Sequence, residues 1–288
     1  MSAMSARARI AAFVALLAVV FAGAALAGGV LNPGDDDTAT EHDDAGHAST
    51  SEHATTHTTA GDETESAGVA SAHGGHRLVV ERTRFAAGRP AELRFSILDD
   101  ANQTVREFDV EQARRMHLIL VRRDLRRYQH LHPVQGDDGA WSVDLTLPDA
   151  GVYRAFADFR TAGEQHTLGT DLFVPGAFEP LDLPAASEQA RTAGYDVALH
   201  EHDGELSFAV SRDGQAVDDL QPYLGARGHL VILREGDLAY THVHPTDGTT
   251  GEIAFHTGAI EPGTYRLFLQ FRHEGRVRTA AFTRVVEP

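Results

Sequence analysis

Residues 117–133 read HLILVRRDLRRYQHLHP, and residues 229–245 read HLVILREGDLAYTHVHP. The two stretches align without a gap at one offset, 229 − 117 = 112. His130, His132 and Pro133 fall on His242, His244 and Pro245, and Tyr128 falls on Tyr240. The same offset carries Gly151-Val152-Tyr153-Arg154 onto Gly263-Thr264-Tyr265-Arg266, and Phe159 onto Phe271. Agreement in a single register over this span marks an internal duplication.

Around these stretches the chain alternates short apolar runs, rich in β-branched and aromatic residues, with Gly, Pro and Asp. Leu93–Leu98, His117–Val121, Trp141–Leu147 and Val152–Phe159 are examples. Strands of that length and spacing predict an all-β chain, with an antiparallel sandwich or barrel in each of two tandem copies. The expected boundaries are 77–178 for module 1 and 195–288 for module 2. A linker over 179–194 contains Pro180 and Pro184. A single helical turn is expected near Val110–Arg115.

The N-terminal quarter reads differently. Arg7 and Arg9 precede an apolar run from Ile10, which ends in Ala25-Leu26-Ala27, so residues 1–27 have the form of an export signal. The run is also about long enough to serve as a tilted membrane anchor. Either way the remainder is expected to work outside the cytoplasm, secreted or held at the cell envelope. Residues 28–76 hold ten acidic residues, no basic one and six histidines: His42, His47, His53, His57, His73 and His76. With few large apolar side chains, this segment is expected to be a disordered linker, able to hold divalent metal loosely. The net charge of −17 argues against nucleic acid as a partner, and the absence of Cys excludes disulfides and thiolate sites.

The histidines of the repeat can be placed by strand arithmetic. On a strand, residues i and i+2 share a face, so His130 pairs with His132 and His242 with His244. A two-residue turn at Asp124-Leu125 makes paired positions sum to 249, which sets His117 opposite His132. A turn at Gly236-Asp237 sets His229 opposite His244. Three imidazoles then meet on one face in each copy. Leu118, Leu120 and Leu131, and in the second copy Leu230, Ile232 and Val243, turn to the core. Converging imidazoles without thiolates suit copper, with zinc as the alternative. The other reading of the same pattern is structural, with histidines hydrogen-bonding backbone at a sandwich end. His166, His256 and His273 have no counterpart in the other copy; they read as surface residues, with a fourth metal ligand as the alternative.

The blocks MHLILVRRDLRRYQHLHP (116–133) and PYLGARGHLVILREGDLAYTHVHP (222–245) resemble a family of secreted actinobacterial two-module proteins, similar to YtkA-type immunoglobulin-like envelope proteins linked with copper handling. The resemblance spans roughly residues 77–288. It implies a fold of two tandem immunoglobulin-like (Greek-key) antiparallel sandwiches, a copper connection and the ligands His117, His130, His132, His229, His242 and His244. A cupin would need a Glu shortly after His-x-His, and a blue-copper site needs Cys; neither is present. The expected function is a non-enzymatic envelope protein that buffers or delivers metal through a three-His site in each module. The alternatives are a structural or interaction pair of sandwiches without metal, and a zinc-dependent hydrolase or hydratase.

Overall fold

The computed structural model describes residues 68–202, 204–241, 243–246 and 251–288, and among them every regular element is a strand. The expected export signal, the acidic segment as far as residue 67, and His242 lie outside the described residues. Module 1 contains β1 (Ala72–His73), β2 (His76–Val80), β3 (Pro90–Leu98), β4 (His117–Arg122), β5 (Gln129–Leu131), β6 (Val134–Gln135), β7 (Trp141–Thr146), β8 (Gly151–Thr161) and β9 (Glu164–Val174). Module 2 contains β10 (Gln189–Thr192), β11 (Tyr195–His202), β12 (Glu205–Arg212), β13 (Gln215–Ala216), β14 (Gly228–Arg234), β15 (Tyr240–Thr241), β16 (His244–Thr246), β17 (Glu252–His256), β18 (Gly263–His273) and β19 (Arg276–Val286).

Each module is a two-sheet antiparallel sandwich. The sheets run β1-β2-β3-β7-β6 and β5-β4-β8-β9 in the first, and β10-β11-β12-β17-β16 and β15-β14-β18-β19 in the second. The duplication is visible in the strand bounds: β8 and β18, like β9 and β19, are displaced by 112 positions at both ends. In both copies a buried tyrosine ties its hydroxyl to the carbonyl four residues earlier. Tyr153 donates to Asp149 O (3.1 Å) and Tyr265 to Glu261 O (2.8 Å). This tyrosine corner belongs to immunoglobulin-like sandwiches.

Two boundaries shift. Residues 72–76, expected within the disordered linker, form β1 and the start of β2, because His73 pairs with His76 across a Gly74-Gly75 turn. β10 lies inside the expected 179–194 linker, so module 2 begins near Gln189. The helical turn expected near Val110–Arg115 is instead a two-residue turn closed by Glu111 and Arg114, whose N–H groups bond each other's carbonyls at 2.7 and 2.9 Å. Its central residues, Gln112 (φ 46°) and Ala113 (φ 62°), both adopt the left-handed region.

The strand register follows the turn arithmetic. Leu118 pairs with Leu131, Ile119 with His130 and Leu120 with Gln129; Ile232 pairs with Thr241 and Leu233 with Tyr240. Leu118 and Leu120 enter the module 1 core, with Leu131 packed against it, and Leu230, Ile232 and Val243 enter the module 2 core.

The opposite face of β4 is not solvent. Ile119, Val121, Leu125 and Phe156 of module 1 form a third core with Val231, Leu233, Leu238, Tyr240 and Phe268 of module 2. Tyr128 stacks on Phe268 with centroids 4.2 Å apart, and Phe156 packs on Tyr240 at 5.6 Å. By the repeat, Tyr128 is equivalent to Tyr240 and Phe156 to Phe268. Each module therefore gives the same pair of side chains and receives the same pair, as in an isologous dimer built within one chain. Arg122, at the end of β4, is likewise buried and bonds Asp124 through Nε (2.9 Å) and an Nη (2.7 Å).

Candidate metal centre

His117 opens β4 on the face that carries Ile119 and Val121, so it points into the seam between the modules. His229, the second residue of β14, shares a face with Val231 and Leu233 and points into the seam in the same way, and both rings are buried. Their planes lie 18° apart with centroids at 5.6 Å, a stacked pair formed by the two equivalent positions. His130, opposite Ile119 on β5, faces the same way and lies 5.2 Å from His117 and 4.3 Å from His229 between ring centroids. One ring nitrogen from each of His117, His130 and His229 falls within 4.8 Å of the other two. His132 adjoins them, its centroid 4.7 Å from His130 and 5.3 Å from His117. Its Nε2 is buried without a hydrogen-bond partner among the described residues.

The cluster thus draws His117, His130 and His132 from module 1 and His229 from module 2, which departs from the expectation of a separate triplet in each copy. His244 is exposed and pairs with His256 in the other sheet of module 2. The reason lies in the strand crossing. Proline donates no ladder bond, and beside Pro133 and Pro245 the chain leaves the hairpin for the opposite sheet, as β6 on β7 and β16 on β17. His132 sits at the crossing, whereas His244 has already passed it.

The hydrogen bonds around the cluster constrain its protons. His130 Nδ1 lies 2.6 Å from Gln270 Oε1, and His117 Nε2 lies 3.1 Å from the Glu111 carbonyl oxygen. Both oxygens are acceptors, so each of these nitrogens carries the proton of its ring. His117 Nδ1 and His130 Nε2 then face each other at 3.0 Å with lone pairs, if both rings are neutral. For His130 and His132 neutrality is favoured. Burial, reinforced by His117 and His132, lowers His130 to about 3, and burial with His117 and Arg114 lowers His132 to about 4. Two ligands about 2.0–2.1 Å from one ion, at angles between square and tetrahedral, stand about 2.9–3.4 Å apart. The observed separation falls in that range.

Two polar residues next to the cluster escape sequence reading. Asp158 is the ladder partner of His117, and Gln270, its equivalent, is the ladder partner of His229. Asp158 is buried and accepts from Gln165 Nε2 (2.7 Å), Thr167 Oγ1 (3.0 Å) and, across the seam, Tyr240 OH (3.3 Å). The available signal was a polar residue at one repeat position inside two otherwise apolar runs, 155–159 and 267–271. His166 and His273, read as surface residues, are buried: His166 stacks on Phe159, and His273 bonds Tyr195 OH at 2.7 Å.

Fold and site define a class: two fused immunoglobulin-like sandwiches with a histidine cluster on their seam. The chain belongs to the family described as a domain of unknown function, DUF8832, whose sequence pattern matches residues 70–176 and again residues 190–288. No curated protein matches it. Among solved structures it is similar to Salmonella alpha-2-macroglobulin reacted with methylamine, at 13% identity and TM-score 0.28, covering 75% of this chain and 15% of that one. It is also similar to the Escherichia coli adhesin FdeC, at 13% identity and TM-score 0.28, covering 73% and 64%. A third is the FN1–FN3 region of chicken CNTN1, at 9% identity and TM-score 0.22, covering 73% and 66%. The chain therefore spans a small part of the first of these and under two thirds of the second. Likeness at this level carries no functional argument.

Proposed function

We propose that this is an exported metal-binding protein of the cell envelope, which holds one copper ion, or alternatively zinc, between its two modules. His117, His130 and His229 are the ligands, and His132 or water takes the remaining position. The observation that carries this reading is the pair of imidazole nitrogens facing each other at 3.0 Å while their outer nitrogens are committed to acceptors. A cation between them resolves that arrangement. Three neutral imidazoles without a thiolate suit Cu(II) or Zn(II), and Gln270 and the Glu111 carbonyl orient two of the rings from outside. Export rests on the form of residues 1–27. Buffering or delivery is the role that fits a site built of exchangeable nitrogen ligands.

A second reading has its own support. Turning the Gln270 amide by 180° makes it the donor to His130 Nδ1, so that His130 Nε2–H donates to His117 and the cluster is a metal-free staple between modules. Metal analysis and calorimetry on the metal-stripped full chain decide between the two. The metal reading expects one tight equivalent per chain, lost in His130→Ala and lost equally in His229→Ala, although His229 belongs to the other module. Retention in His229→Ala refutes the shared site, and no tight binding in the parent leaves the staple.

A further inference from the structure

A different histidine group lies on the outer face of module 2. Along β12, Leu206, Phe208 and Val210 face the core, so Glu205 faces outward. On β17, Ile253 and Phe255 face the core, and His256 faces outward. The ladder pairs His202 with Glu205, Glu205 with His256, and His256 with His244. Cross-strand partners project from one face with Cβ atoms about 4.5–5.5 Å apart. Four strands therefore carry His202, Glu205, His256 and His244 in one transverse row, and all three histidines are exposed.

A side-chain contact fixes where the carboxylate in this row goes. Glu205 Oε2 accepts from Thr246 Oγ1 at 3.1 Å, although β17 lies between their strands. Thr246 is two positions beyond His244 on the same face, and its ladder partner on β17 is the small Ala254. The Glu205 carboxylate thus leans across β17 toward β16, past His256 and toward the strand that carries His244. One row further, His200 Nδ1 lies 3.4 Å from Glu252 Oε1, a second imidazole–carboxylate pair on this face.

We propose that this outer face carries a second metal site, in which His244, His256 and Glu205 bind a borderline divalent cation, Cu(II) or Zn(II), with water in the open position. Two imidazoles and a carboxylate match the ligand preference of such ions. The site faces solvent and uses none of the seam ligands; the ladder places its three side chains side by side, and they close on the ion by turning about their own bonds. It is a fast-exchanging site, distinct in place and character from the buried one.

The test uses the full chain labelled with 15N, titrated with Cu(II) at pH 7.5, with paramagnetic broadening of amide signals as the readout. Broadening is expected at Glu205–Leu206, Pro245-flanking His244 and Thr246, and Phe255–Thr257. In the double variant Glu205→Gln/His256→Asn these signals stay sharp, while signals around His117 and His130 respond as in the parent. Sharp signals on β12, β16 and β17 in the parent overturn the proposal. So does unchanged broadening there in the double variant. The seam site is read from other resonances in the same spectra, so failure of one site is separate from failure of the other.

Discussion

Lowering the pH of the metal-stripped protein tests the buried cluster without any ligand. His130 has an ordinary value of 6.5 and is held at about 3 in the fold, chiefly by burial and then by His117 and His132. The unfolded chain therefore binds a proton that the folded chain refuses between those values, and stability falls as pH drops below 6.5. Full stability is present above that pH. At about 1.4 kcal/mol per pKa unit, the loss from His130 alone between pH 7.5 and pH 5 comes to roughly 2 kcal/mol. That window lies above the range in which ordinary carboxylates titrate. His132, lowered to about 4, adds in the same direction but less, being partly solvated. Trp141, the sole tryptophan, is buried in the module 1 core and reports unfolding. Urea midpoints from its fluorescence at pH 7.5 and pH 5 give the loss for the parent and for His130→Gln. The variant should lose about 2 kcal/mol less across the window, whatever its absolute stability. Equal losses in the two proteins would refute the assignment of a neutral, buried His130.

Phe268→Ala removes a seam side chain of module 2, at a cost of about 3–5 kcal/mol; because Tyr128 stacks on it, the Trp141 fluorescence midpoint in module 1 should fall as well, and an unmoved midpoint would mean independent modules. Tyr240→Phe deletes the hydroxyl that reaches Asp158 across the seam and should lower stability by about 1–3 kcal/mol in denaturant titrations. Gln270→Ala leaves the three proposed ligands in place but releases His130 Nδ1, so metal affinity measured by chelator competition should fall about 10–100-fold. Ala113→Gly relieves a left-handed alanine and should raise the unfolding free energy from urea titration by about 0.5 kcal/mol, the strain relieved exceeding the entropy added to the unfolded chain.

The sandwich pair and the β4–β5 and β14–β15 registers were legible because a repeat fixes equivalent positions and a turn fixes which residues oppose. The burial of both faces of β4 was also written in the sequence. Leu118 and Leu120 alternate with Ile119 and Val121, and an unbroken apolar run marks a strand covered on both sides. The partner for the second face was not legible, since nothing in a strand's own pattern says which surface covers it. That gap explains why the histidines were expected as two separate triplets, one per copy, when four of them meet on the seam. His244 was misplaced for a local reason: register arithmetic assumes the strand stays in its sheet, and the residue lies where the chain changes sheets.

Fusing the two halves of an isologous interface has a chemical consequence. In a dimer of identical subunits, a group on the twofold axis must meet its own copy, and every substitution there is made twice. Here the positions equivalent across the axis have diverged, with a carboxyl side chain at Asp158 and an amide at Gln270. A single chain can thus set unlike polar groups on the two sides of a shared centre and give a bound ion a directional environment, which identical subunits are barred from doing.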